Sequence, residues 1–292
     1  MKGRWKLPLA LAALILALGL LERRQLAEPP HRAEWLAAGD VKVRAVRLGR
    51  GDTTLVLLHG YGESLMSWQP VAVSLARKYR VVALDLPGFG ASDKPDGPYT
   101  LAAMQARLGD FLARWTEGPL VVIGHSMGGE LAAALAIAEP RIVGAVLVAP
   151  AGYGLGALAD SAAGSVGAVA GAMAPLVIPI HDPGWLGEPD SLADYDPVLD
   201  PAYHHSTRAV LEQFDFAALR DGFGSLRKPV LLLWGRQDPT IPAALGEAIS
   251  AALPCDTFVP LDGMLHRPHQ AAPDRVIAEI EQFLSGSHAC DD

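Results

Sequence analysis

The stretch LVVIGHSMGGELAAALAIAEP, Leu120 to Pro140, changes character in its middle. Leu120–Ile123 is a short apolar, β-branched run of the kind that makes a buried strand, and Glu130–Leu135 has the alanine-rich composition of a helix. Between them stand Gly124-His125-Ser126-Met127-Gly128, a serine at the corner with glycine two residues away on each side. Glycine and serine suit a strand-to-helix turn for backbone reasons alone. The sharper reading is chemical. A serine forced to positive φ at such a corner lifts its Oγ above the sheet edge, and the residues at ±2 must then lack a Cβ. The opening N–H groups of the following helix would point toward whatever the serine attacks. Ser126 is the candidate nucleophile, and the pattern asks for a base, an acid and oxyanion donors elsewhere.

Outward from this corner, apolar runs alternate with helical patterns. Val41–Val46 alternates as an edge strand should, while Thr53–Leu58, Arg80–Leu84, Leu120–Ile123, Val143–Val148 and Val230–Trp234 read as buried strands. Helical patterns cover Ser64–Lys78, Thr100–Trp115, Met127–Ala138, Ala243–Leu253 and Asp274–Leu284. This order predicts an α/β fold with a mostly parallel central sheet flanked by helices. Residues 152–226 interrupt it, with Gly, Ala, Pro and Asp dominant and no buried strand. An insertion there leaves the carboxyl edge of the sheet, where such folds bind ligands, and is expected to form a lid.

At 292 residues and 50% hydrophobic, the chain can bury one large core with an inserted subdomain. A net charge of −8 and the lack of a basic stripe argue against a nucleic-acid surface. Two cysteines, Cys255 and Cys290, give neither a disulfide framework nor zinc-ligand spacing. Lys2, Arg4 and Lys6 precede an apolar stretch from Leu7 to Leu21, followed by Glu22-Arg23-Arg24. Residues 1–25 therefore read as a signal peptide or an uncleaved signal-anchor, with membrane contact through this segment. The excess of basic charge before it puts the body on the non-cytoplasmic side, periplasmic or extracellular. Residues 26–40, with Pro29-Pro30, read as a linker, and residues 41–292 as the folded domain.

Of nine histidines, His31 falls in the linker, His181, His204 and His205 in the insertion, and His288 in the tail, while His59 and His125 end strands. His266 and His269 remain, in LDGMLHRPHQAAP after the last strand. His266 has the position required of a base; His269 is a second-shell or surface candidate, or half of an H-x-x-H metal pair that lacks a carboxylate ligand. Asp238, in VLLLWGRQDPTIP, lies directly beyond a strand and could orient His266. Asp262 competes but stands so near His266 that it suits the turn. Met127 N–H at the helix start and Tyr61 N–H in LLHGYGES are the candidate oxyanion donors, with Gly60 and His125 beside them expected to line the substrate site.

With these residues in place, the chain resembles the α/β-hydrolase family, in its lidded, esterase-like branch. The resemblance runs from about Val41 to Leu284 and rests on His59-Gly60, Asp85-Leu86-Pro87-Gly88-Phe89-Gly90-Ala91-Ser92-Asp93, Gly124-His125-Ser126-Met127-Gly128-Gly129, Trp234-Gly235 with Asp238, and His266. Leu265 and Ala271 depart from residues the family often carries around the histidine. The resemblance implies Ser126 as nucleophile, His266 as base, Asp238 as acid, Tyr61 and Met127 as oxyanion donors, and no cofactor. It implies a serine hydrolase of carboxylic esters (a carboxylesterase or lipase) acting on a small acyl substrate. A carbon–carbon bond hydrolase or an acyltransferase is the alternative, and a non-catalytic binding protein a more distant one.

Overall fold

The computed structural model describes residues 33–154 and 200–286. Among them an eight-stranded sheet forms the centre: β1 Glu34–Ala38, β2 Val41–Leu48, β3 Thr54–Leu58, β4 Arg80–Leu84, β5 Leu120–His125, β6 Ile142–Val148, β7 Val230–Gly235 and β8 Asp256–Leu261. Its spatial order is β1-β2-β4-β3-β5-β6-β7-β8. The β1–β2 and β2–β4 pairs are antiparallel, and every pair from β4 onward is parallel. The expected α/β architecture is the one observed.

Alternation along the strands divides the core in two. Leu55 and Leu57 of β3, with Val121 and Ile123 of β5, face one side, while Val56, Leu58, Leu120 and Val122 face the other. Helix α1 (Gln69–Leu75) and the C-terminal helix α6 (Pro273–Ser285) cover the first face through Val71, Leu75, Val276 and Ile280. Helices α2 (Leu101–Trp115), α3 (Met127–Ala138), α4 (Pro201–Gln213) and α5 (Ala243–Ala252) pack on the second. Helix α3 is apolar nearly all round because it is enclosed nearly all round. Even its Glu130 is fully buried, and burial, then the Asp215 charge, pushes that carboxyl up to about 9, leaving it neutral.

One expectation is corrected. Residues 34–38, read as linker, form β1, which pairs with β2 from Glu34–Ala45 to Ala38–Val41. Val41–Val46 is thus an inner strand, extended to Leu48, and β1 takes the edge. Trp115 Nε1 donates to Ala37 O at 2.8 Å, and the Asp110 carboxylate accepts from Gly39 N at 2.8 Å, so α2 holds the hairpin down. The N-terminal segment 1–25 and residues 155–199 of the proposed lid lie outside the described residues. Among the described residues, no helix is long and apolar enough to cross a membrane.

Parallel strands order the site because their carboxyl ends share one edge. The chain leaves β3 outward to β4, then crosses back to β5 on the other side of β3. That reversal opens a crevice between the ends of β3 and β5. A buried ion pair braces the loops beside it. Arg44 Nε lies 2.7 Å from Asp85 Oδ2, both side chains wholly enclosed. Asp85 also accepts from Leu65 N and Ala91 N, each at 2.8 Å. Removing one partner leaves an uncompensated buried charge. Asp85→Ala is expected to destabilise the fold by about 3–5 kcal/mol in urea unfolding, with a smaller cost when Arg44 is also replaced by leucine.

Candidate active site

Ser126 follows β5 directly and caps α3 with φ 52° and ψ −118°. Among the described residues, two that are not glycine have positive φ, Ser126 and Ala149 (φ 42°), and they follow neighbouring strands. The elbow is held by its backbone. Ser126 N–H donates to Val148 O at 3.0 Å, and Ser126 O accepts from Gly129 N at 2.9 Å and Ala151 N at 3.0 Å. The flanking glycines have a steric cause. A Cβ on Gly124 would strike the Gly128 carbonyl, and one on Gly128 would strike the carbonyls of Leu58 and His59. Helix α3 therefore rises in backbone contact with the end of β3.

The two loops that carry the other candidates are knitted together. Arg236 N donates to Leu261 O at 3.0 Å, Gln237 N to Met264 O at 3.1 Å, and Gly263 N to Gln237 Oε1 at 2.8 Å. Within this frame the Asp238 carboxylate is fully buried. Its Oδ1 accepts from Thr240 N at 2.7 Å and Ile241 N at 3.0 Å, and its Oδ2 meets His266 Nδ1 at 2.7 Å. Asp238 can only accept, so His266 carries its proton on Nδ1 and presents Nε2 as the lone-pair nitrogen. Burial holds the His266 ring below its ordinary titration range, with the Asp238 hydrogen bond opposing it. Asp262 pairs instead with Arg236 at the surface, Oδ1 to Nε 2.6 Å, and is excluded as the orienting acid.

Met127 N–H opens α3, where the first helical donors have no acceptor within the helix. Tyr61 sits in the loop after β3. Its ring packs edge-on against Phe89 at 5.7 Å, and its hydroxyl donates to Thr207 O at 3.2 Å. Burial pushes that hydroxyl up to about 12, so it stays protonated and a donor. Helix α4 returns two further bonds, Tyr203 Oη to Gly62 O at 3.3 Å and Ser206 Oγ to Gly88 O at 2.6 Å. The described part of the insertion is thereby clamped onto the loop bearing Tyr61.

Three residues differ from expectation. His125, expected beside the substrate, is turned inward. Its ring is buried, with Nδ1 3.1 Å from Glu63 Oε2 and Nε2 2.9 Å from the His266 carbonyl. Gly60 is likewise committed. Its N–H donates to Glu63 Oε2 at 2.9 Å and its carbonyl lies 2.7 Å from His59 Nδ1. Because Leu86 N–H donates to His59 Nε2 at 2.9 Å, His59 is a neutral Nδ1–H tautomer, and burial lowers its pKa. His269 is no surface residue. It is fully enclosed, its ring 4.3 Å from Trp68 and 4.5 Å from His125. Glu63, which sequence reasoning passed over, joins them. Ligand atoms of Glu63, His125 and His269 lie within 4.8 Å of one another, a set that could hold a metal, although Arg267 Nε already meets Glu63 Oε1 at 2.8 Å. His266 takes no part in that set, so the H-x-x-H pairing does not form.

A cavity of about 340 Å³ at the opposite, amino-terminal edge is lined by Arg47, Arg80 and Arg114 around Trp115. Each arginine has its own acid, Glu34, Glu117 or Asp110, which leaves no net charge for a ligand.

The sequence model of the Alpha/beta hydrolase family matches residues 55–279. An uncharacterised hydrolase of Bacillus subtilis is 26% identical over 252 residues, covering 80% of this chain and 90% of its own. The 2-hydroxy-6-oxo-6-(2'-aminophenyl)hexa-2,4-dienoic acid hydrolase of Metapseudomonas resinovorans is 35% identical over 125 residues, covering 41% of this chain and 43% of its own. Among solved structures, one described as a membrane phospholipase A superposes with a TM-score of 0.71 at 26% identity, covering 96% of both chains.

The elbow's dependence on bare backbone has a measurable consequence. Gly128→Ala must push Leu58 and His59 away from α3, and overpacking of this kind costs about 1–3 kcal/mol. A lowered Tm in thermal unfolding is expected. An unchanged Tm would mean that α3 can move off β3 freely.

Proposed function

The chain belongs to the Alpha/beta hydrolase family, and on that premise we propose that it hydrolyses carboxylic esters through Ser126, His266 and Asp238. The observation that carries this reading is the Asp238–His266 hydrogen bond of 2.7 Å, set beside a serine held at φ 52°. Ser126 Oγ attacks the acyl carbonyl while His266 Nε2 takes its proton. Asp238 holds the Nδ1–H tautomer and stabilises the imidazolium that forms. Met127 N–H and Tyr61 N–H receive the developing oxyanion. His266 then protonates the departing alcohol, and water, deprotonated by the same ring, releases the acid from the acyl-enzyme. Helix α4, tied to Gly62 O through Tyr203 and to the Tyr61 hydroxyl through Thr207 O, bounds the space available to the acyl group. The likeness to a membrane phospholipase A over nearly the whole chain supports an ester substrate. The partial match to a hexadienoic acid hydrolase supports a second reading, cleavage of a carbon–carbon bond next to a ketone, by the same residues.

We also place the body outside the cytoplasm, attached or exported through residues 1–25. The basic-then-apolar pattern from Lys2 to Leu21 supports this, as does the excess of basic charge ahead of the apolar stretch over that behind it. Cell fractionation of the tagged full-length chain should recover it in the membrane or outside the cytoplasm. Recovery from the cytosol with an intact N-terminus would refute this.

Kinetics on a series of p-nitrophenyl esters and a dienoic ketone test the chemistry. Ser126→Ala and His266→Ala are each expected to lower kcat about 10⁵–10⁶-fold, the double variant little more, because the pair acts as a unit. Asp238→Asn should cost about 10⁴-fold. Only neutral His266 is a base, so kcat/KM rises as pH rises through its pKa, and burial puts that limb below the ordinary histidine value of about 6.5. Full activity in Ser126→Ala would remove the serine from the chemistry, and turnover of the ketone alone would select the second reading.

A further inference from the structure

The buried face of α4 carries hydroxyls where adhesion alone would call for apolar side chains. Ser206 and Thr207 stand three and four residues beyond Tyr203, and all three are buried. Ser206 Oγ donates to Gly88 O at 2.6 Å, and Gln213 Oε1, at the helix end, accepts from Tyr99 N at 2.8 Å. At the other end Asp200, which caps α4, lies 3.6 Å from Lys94 Nζ. Ties at both ends and the middle thus fix α4 on the loop between β4 and α2. From that fixed position it reaches a second loop, the turn after β3, at two adjacent residues. Tyr203 Oη donates to Gly62 O at 3.3 Å, and Thr207 O accepts from Tyr61 Oη at 3.2 Å.

The first half of that turn is held from within. Glu63 N donates to Gly60 O at 3.2 Å, and the same carbonyl lies 2.7 Å from His59 Nδ1. The planar trans peptide then sends Tyr61 N–H the opposite way. The second half has no such internal bond. Gly62, at φ 72°, sits where a turn of this kind takes glycine, and the bond that closes the turn uses neither the Tyr61 N–H nor the Gly62 carbonyl. Glycine leaves this backbone free to tilt. What holds it is α4, through the ring of Tyr61 and the carbonyl of Gly62.

We propose that Tyr203 is a positioning residue for the oxyanion site: with Thr207 O, it holds the Tyr61–Gly62 turn so that Tyr61 N–H stays aimed at the acyl oxygen. This rests on the hydrolytic reading, in which that N–H is an oxyanion donor. A hydrogen bond weakens as it is bent, and this one matters most when the acyl oxygen carries charge. A tilted donor therefore costs more in the transition state than in the bound ester, and the loss falls on kcat. A residue that only walls the acyl pocket acts differently. Its loss falls on KM and varies with acyl length.

Phenylalanine removes each hydroxyl and keeps each ring. Tyr203→Phe and Tyr61→Phe should each lower kcat on p-nitrophenyl esters about tenfold, with KM within about twofold, against a loss of about 10²–10³-fold for an absent donor. A trifluoromethyl ketone reads the oxyanion directly. Ser126 Oγ adds to its carbonyl carbon, the serine proton passes to His266, and the carbonyl oxygen takes the negative charge. Its inhibition constant should rise by the factor by which kcat/KM falls. A lowered Tm with kcat and ketone affinity unchanged makes Tyr203 a packing residue and overturns the proposal. A change confined to KM that varies with acyl length overturns it as well. The turn is also read without turnover. Relaxation of ¹⁵N in the full-length chain should give Tyr61 and Gly62 amide order parameters of about 0.85, falling below about 0.6 in Tyr61→Phe/Tyr203→Phe. Unchanged order parameters mean that α4 does not hold the turn. If wild-type protein neither cleaves ester nor captures the ketone, the hydrolytic reading fails and the oxyanion role with it, while the order parameters still decide whether Tyr203 holds the turn.

Discussion

A serine at φ 52° between β5 and α3 is the constraint on which the rest of the site depends. A side chain in that region of backbone space costs about 1–3 kcal/mol and persists where its surroundings over-determine it. Here two neighbouring strands supply the surroundings. β6 accepts the Ser126 N–H through Val148 O, the chain after β6 donates to Ser126 O through Ala151 N, and β3 presses its last carbonyls against Gly128. The order β3-β5-β6 in the sheet is thus a condition for the elbow as well as a container for it. The same close approach explains the composition of α3. A helix in backbone contact with a strand has room for Gly and Ala on that face, and Gly128, Gly129, Ala132 and Ala133 are all buried.

Loops at the carboxyl edge cannot be placed by apolar packing alone, because their positions must be set to fractions of an ångström and their side chains are short. Buried charge supplies the direction. Asp85, paired with Arg44, reaches Leu65 N on one side and Ala91 N on the other, fixing the segments after β3 and β4. Glu63 performs the equivalent task one strand over, joining Gly60 N–H, His125 and Arg267, which come from the ends of β3, β5 and β8. Each carboxylate collects donors from segments far apart in sequence. Such centres add little net stability compared with apolar residues of the same volume, and are costly to break. Their contribution is geometric specificity.

The difference in legibility between parts of the molecule follows from the range of the interactions. The inner strands and α3 could be read because their patterns are local: β-branched runs such as Leu120–Ile123 are buried on both faces whatever they pair with. The edge strand β1 could not. Its five residues, EWLAA, carry a weak alternation, and what makes them a strand is pairing with β2 and the indole of Trp115, neither of which a linear pattern displays. Ser126, Asp238 and His266 stood out because each follows an apolar run at a strand's carboxyl end. Glu63 did not, since a glutamate in GYGES looks like a solvated turn residue until the ends of β5 and β8 close over it. The partners of His125 were hidden for the same reason: its place beside Ser126 in sequence does not display Glu63 or the His266 carbonyl, and successive residues at the end of a strand point to opposite sides.

Two histidines stand at this edge, each with Nδ1 set against a carboxylate, and their surroundings differ. His266 has one nitrogen committed and the other unassigned, on a side chain that is 14% exposed. His125 has both nitrogens committed to oxygens and is 1% exposed. A ring with both nitrogens set against oxygens cannot turn or shift without giving up a bond in a place where water does not reach to replace it. The His266 ring, with one nitrogen uncommitted, therefore suits the base proposed above, while the fully committed pair of His125 and Glu63 suits a rigid support.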